Sequence, residues 1–76
     1  MTSEKISRFL HTKEHARCLD DANDRQGLLE SLVRNFGLTG SQITLTRRVL
    51  ESHMHLCTDN DVEVNTLSVA LSEALK

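Results

Sequence analysis

The stretch HTKEH, residues 11–15, carries two histidines four apart with a glutamate beside the second. On a helix, residues four and seven apart return to one face. His11, His15 and Cys18 would then stand in line, three side chains able to ligate zinc. H-x-x-E-H is also a metalloprotease signature. That chemistry needs a further carboxylate ligand, a substrate cleft and a larger scaffold with strands, which nothing here supplies. A solvated helix face accounts for the same residues, so neither a metal nor a cofactor is expected. In HMHLC, His53 and His55 point about 160° apart on a helix and cannot share an ion. His53 and Cys57 could, although Met54, Leu56 and Cys57 read as core. TDNDVEVN places Asp59, Asp61 and Glu63 at alternate positions but lacks the glycine and distal glutamate of a calcium loop. Capping of the next helix explains these acids.

A second kind of chemistry is suggested by LVRNFGLTGSQITLTRRVL, which has the outline of a helix-turn-helix. Ser41, Gln42, Thr44, Arg47 and Arg48, with Thr46, are types that contact bases and phosphates. The plainer reading is a helical hairpin with a polar outer face. Formal charge is −2, with 9 Lys+Arg against 11 Asp+Glu, and Arg47–Arg48 is the only adjacent basic pair. Strong non-specific nucleic-acid binding needs a basic face to displace counterions, so direct DNA reading is the alternative rather than the leading expectation. No serine–histidine–acid order or phosphate loop is present, and no enzyme is expected.

The elements that must position these residues are helices. Thr2 or Ser3 can cap a first helix, with Glu4 in its first turn. Ile6, Phe9 and Leu10 share an apolar face, and the pattern weakens beyond. Asn23 with Gln26 has the form of a capping box, followed by the stripe Leu28, Leu29, Leu32, Val33 and Phe36. Gly37 stops that helix as a left-handed cap, with Leu38 placed to fold back. A third helix starts at Thr39 with Gln42, Ser41 with Thr44, or Thr44. Ile43 is a staple candidate, and the apolar side runs Val49, Leu50, His53, Met54, Leu56, Cys57. A fourth starts at Asn60 with Glu63 and carries the seam Val64, Leu67, Leu71, Ala74 and Leu75. Residues 1–76 thus read as one small all-α domain of three to four short helices, with an N-terminal helix over 1–20 and a helical core over 23–76. Short connections predict antiparallel neighbours.

Size sets a limit on this reading. Proline, tryptophan and tyrosine are absent, and the aromatics are Phe9 and Phe36. With about fifteen core side chains and two cysteines that allow at most one internal disulfide, a lone chain of this size is marginal. A homodimeric bundle is therefore expected, its shared core built from Leu28, Leu29, Leu32, Val33, Phe36, Val49, Leu50, Val64, Leu67, Leu71 and Leu75. Ile6, Phe9 and Leu10, or the outer face of the third helix, would meet another protein. No stretch approaches a membrane span. The N-terminus is too polar for a secretory signal, and two cysteines without a framework fit a reducing compartment. The expected location is the cytoplasm.

The run LLESLVRNFGLTGSQITLTRRVLESHMHLCTDNDVEVNTLSVALSEAL resembles the small enterobacterial biofilm and acid-resistance regulators, the two-component-system connector proteins. Leu29, Leu32, Val33, Gly40, Ile43, Val49, Leu50, Leu67 and Leu71 take the family's leucine-rich, glycine-turn and apolar positions. The likeness spans about two thirds of the chain and rests on core positions that any helical hairpin shares. Arg47 and Arg48 depart from the more apolar helix start of the family, and His53 and His55 interrupt the helix. The resemblance implies a non-enzymatic helical homodimer that modulates a phosphorelay or transcription by binding a response regulator or phosphorelay component.

Overall fold

The computed structural model describes residues 2–12, 18–58 and 60–76. Its helices are α1 (Ser3–Leu10), α2 (Ala22–Phe36), α3 (Gly40–Ser52) and α4 (Asp61–Ala74). The all-α expectation holds. The only β pairing among the described residues is one antiparallel bridge, Cys18 with Cys57.

Local chemistry explains where each helix begins and ends. The Thr2 hydroxyl caps α1 by accepting from the Lys5 N–H, and Glu4 pairs with Arg8 at 2.7 Å one turn on. The helix stops at Leu10, earlier than the predicted span over 1–20. The Thr12 hydroxyl donates to the Phe9 carbonyl at 2.9 Å, taking a carbonyl that continuation would have used. Residues 13–17 lie outside the described residues.

The start of α2 also differs from expectation. Asp21, not Asn23, is the cap, accepting from the N–H groups of Asn23 and Asp24 at 2.8 and 3.2 Å. A carboxylate serves these orphan donors and the positive helix end together. Asn23 becomes interior, and the Gln26 amide turns to Glu30 at 3.4 Å.

Gly37 ends α2 in the left-handed region, φ 61° and ψ 48°, as predicted, and its N–H donates to the Val33 carbonyl. Leu38 is buried behind it. Of the three possible starts for α3, the structure takes Thr39 with Gln42, a complete capping box. Leu38 and Ile43 then occupy the two positions of a hydrophobic staple.

The expected apolar side of the third helix does not run on to Cys57. The helix ends at Ser52, and His53 leaves helical geometry at ψ 32°. Met54 faces solvent, while Leu56 enters the core from the connection. Asn60 caps α4, accepting from the N–H groups of Val62 and Glu63. Glu63 does not complete a capping box. Its carboxylate instead accepts from the Cys57 N–H at 2.6 Å, tying the connection to the helix.

Packing runs α1 on α4, α4 on α3 and α3 on α2. The core takes Ile6 and Leu10 from α1, Leu28, Leu29 and Leu32 from α2, Leu50 from α3, and Val64, Leu67 and Leu71 from α4. Leu19 and Leu56 plug it from the connections. Phe9 meets Phe36 edge to face, centroids 5.4 Å apart. The radius of gyration is 10.7 Å, close to the ~11 Å of a globular domain this size.

Of the stripes assigned to a core shared between two copies, Leu32, Val64 and Leu71 are wholly buried within one chain, whereas Val33, Phe36 and Val49 are only partly buried. The two cysteines form the one internal disulfide their number allows, across the bridge, where the Leu19 N–H also donates to the Leu56 carbonyl at 3.0 Å. The bond spans 39 residues, a separation at which cross-linking removes about 4 kcal/mol of unfolded-chain entropy.

Candidate functional site

The metal candidates do not converge among the described residues. Cys18 spends its sulfur in the disulfide and has no thiolate to offer. His15 and Glu14 lie outside the described residues. His11 sits at the end of α1 with Nδ1 3.6 Å from an Asp61 carboxylate oxygen, joining that end to the start of α4. The second half-site is likewise taken apart. Cys57 is bridged, and His53 Nδ1 lies 2.8 Å from the Val49 carbonyl. His53 and His55 stack, ring centroids 6.4 Å apart, an arrangement that does not aim two nitrogens at one ion. Of the calcium-like acids, Asp59 lies outside the described residues, and Glu63 is committed to Cys57.

The nucleic-acid candidates fall mostly on the outer side of α3. Ser41, Thr44, Arg47 and Arg48 are exposed. Gln42 is not free to read a base, because its side-chain oxygen accepts from the Thr39 N–H at 2.9 Å. Thr46 is buried and donates back to the Gln42 carbonyl. Ile6, Phe9 and Leu10 are not a partner surface in this fold. Ile6 and Leu10 are 0% exposed against the core, and Phe9 is held by Phe36. An isolated three-residue stripe reads as an interface in sequence because its acceptor, α4, lies far along the chain.

One concave feature among the described residues combines residues that sequence reading kept apart. A trough between α2 and α3 is lined by Gln26, Leu29, Glu30, Val33, Arg34, Ile43 and Arg47, with a volume of about 440 Å³. A smaller hollow of about 170 Å³ continues it along the same cleft, sharing Gln26, Leu29 and Arg47 and extending to Arg25 and Glu51. The floor is apolar: Leu29 is buried, and Val33 and Ile43 are half-buried against the core. Arg34 and Arg47 stand on opposite walls, with no hydrogen bond or ion pair among the described residues. Glu30 is occupied by Gln26, and Arg25 donates to the Leu19 carbonyl at 2.8 Å. The signal in the sequence was the surplus of the leucine stripe. Val33 is more than the internal core covers, and Ile43 faces it from the staple position.

Elsewhere the surface is less shaped. Val62 and Val69 stand out of α4, 73% and 53% exposed, with Asn65 between them. The cleft between α1 and α4 is lined mainly by small and polar side chains, Ser3, Ser7, Asn65 and Ser68 among them. No helix among the described residues is long and apolar enough to cross a membrane. Comparison with protein-family models, curated proteins and solved structures gives no match.

Proposed function

We propose that this chain is a non-enzymatic binding protein, and that the trough between α2 and α3 takes an amphipathic, acidic helix of another protein. The observation that carries the reading is the pairing of an apolar floor, Leu29, Val33 and Ile43, with two uncommitted arginines on the walls. A helix laid in such a groove buries apolar anchors three and four residues apart. Carboxylates on its flanks would meet Arg34 and Arg47, whose planar guanidinium groups suit them. Over Ala22–Arg34 the α2 wall is roughly 18 Å long at 1.5 Å per residue, three turns of a docked helix.

A regulatory setting, with a response regulator or phosphorelay component as partner in the cytoplasm, is supported by the resemblance to connector proteins alone. The test is selection from a library of helical peptides varied in charge and apolar spacing. Selected peptides should carry acids flanking an i, i+4 apolar pair. Arg34→Glu with Arg47→Glu should abolish their binding while leaving the helical circular dichroism intact. Selection without acidic bias, or binding indifferent to the charge reversal, refutes the reading. Sedimentation with and without peptide reports whether a second copy fills the trough instead.

A second reading has its own observation. Ser41, Thr44 and Arg48 share the exposed face of a helix entered through a short glycine turn. Duplex binding that weakens steeply with salt and disappears in Arg47→Ala, Arg48→Ala would support DNA recognition. No retardation at low salt removes it.

A further inference from the structure

The cysteine pair is placed where a reagent can reach it and where breaking it has leverage. Cys18 is exposed, whereas Cys57 is half-buried with its N–H held by Glu63. Each sulfur stands next to a core plug: Leu19, 0% exposed, follows Cys18, and Leu56, 6% exposed, precedes Cys57. Beyond the disulfide, one backbone hydrogen bond among the described residues, Leu19 to Leu56, joins these two connections. We propose that Cys18–Cys57 is a thiol–disulfide exchange site open to a dithiol reductant, and that its redox state sets how far the domain is folded.

The chemistry balances with the reductant named. A thiolate of the dithiol attacks Sγ of Cys18, the exposed residue of the pair, the Cys18–Cys57 bond breaks, and Cys57 leaves as a thiolate that takes a proton from water. The second thiolate of the reductant then displaces Cys18 from the mixed disulfide. The protein ends with two thiols and the reductant with its own disulfide, a two-electron transfer. The consequence follows from the 39-residue separation. Freeing a loop of that length raises the unfolding equilibrium constant about 10³-fold in the chain-entropy relation. Small domains have folded-to-unfolded ratios of roughly 10³–10⁸. Reduction therefore removes a large share of the stability available to a chain this short. The proposal is independent of what the trough binds.

The test uses the full oxidised chain without denaturant, equilibrated in glutathione or dithiothreitol redox buffers and quenched by alkylation for mass spectrometry. The native protein should be reduced in these buffers, with its urea-unfolding curve displaced by about 10³-fold in the equilibrium constant. Reoxidation should restore the curve. Cys18→Ser with Cys57→Ser should behave as the reduced protein, unfolding in water included. Glutathione trapped on the oxidised chain early in the reduction should be found on Cys18 rather than Cys57 by peptide mass spectrometry. A pair that resists excess dithiol until urea unfolds the chain overturns the proposal. So does a reduced protein within tenfold of the oxidised one in stability, and glutathione found equally on both cysteines overturns Cys18 as the point of attack.

Discussion

Gly27 and Gly37 provide a paired test of the backbone geometry that sets the trough. At both positions an added Cβ meets nothing within 4 Å, so packing drops out of the comparison. What remains is conformation. Gly27 lies inside α2 at ordinary helical angles, and Gly37 is the one residue among those described with positive φ, 61°. Alanine at 27 should stabilise by about 0.8–1 kcal/mol, the helix-propensity difference. Alanine at 37 must enter the left-handed region, costing about 1–2 kcal/mol, partly offset by the stiffer unfolded chain. The net is a loss near 1 kcal/mol. The two variants, identical in composition, should thus differ by about 2 kcal/mol, or roughly 30-fold in folded-to-unfolded ratio and about 8–16 °C in Tm. Urea unfolding with unchanged m values measures this directly. If Gly37→Ala is as stable as the parent, residue 37 is not left-handed. The turn carrying Ile43 opposite Leu29 and Val33 would then be wrong, and the trough with it.

Three further predictions concern single contacts. Thr39→Ala removes the hydroxyl half of the α3 capping box and should cost about 1 kcal/mol, read from urea midpoints. A double-mutant cycle with Phe9→Leu and Phe36→Leu should return a coupling of about 0.5–1.5 kcal/mol, because the rings meet edge to face at 5.4 Å; zero coupling would detach α1 from the end of α2. Ser68→Ala should lie within about 0.5 kcal/mol of the parent or above it. The Ser68 hydroxyl, though buried, only donates back to Val64 within α4 at 2.7 Å, and alanine is the better helix former.

What the sequence disclosed was local. Gly37 and the Thr39–Gln42 box are short-range patterns whose partners lie within four residues, and both appear in the structure. The α4 seam was legible because its period is that of the helix itself. The start of α2 was misplaced because Asp21 and Asn23 both have capping chemistry, and only the charge at the helix end favours the former. The cysteine pair was hidden by its separation, since two cysteines carry no information about their distance in space. That omission propagated. Without a staple, and without α4 as the acceptor for Ile6 and Leu10, the apolar stripes seemed to need a second copy. The trough escaped for a related reason, as neither wall is distinctive until α2 and α3 are set side by side.

With Cys18 joined to Cys57, the polypeptide is topologically a ring bearing two tails. α2 and α3, with the whole trough, belong to the ring, and α1 and α4 leave it from adjacent points and lie against each other. Peptide-bond cleavage therefore has unequal effects around the molecule. A nick inside the ring leaves every fragment covalently attached, whereas a nick in a tail lets a helix depart. An oxidised molecule nicked between α2 and α3 stays one piece until a reductant parts it.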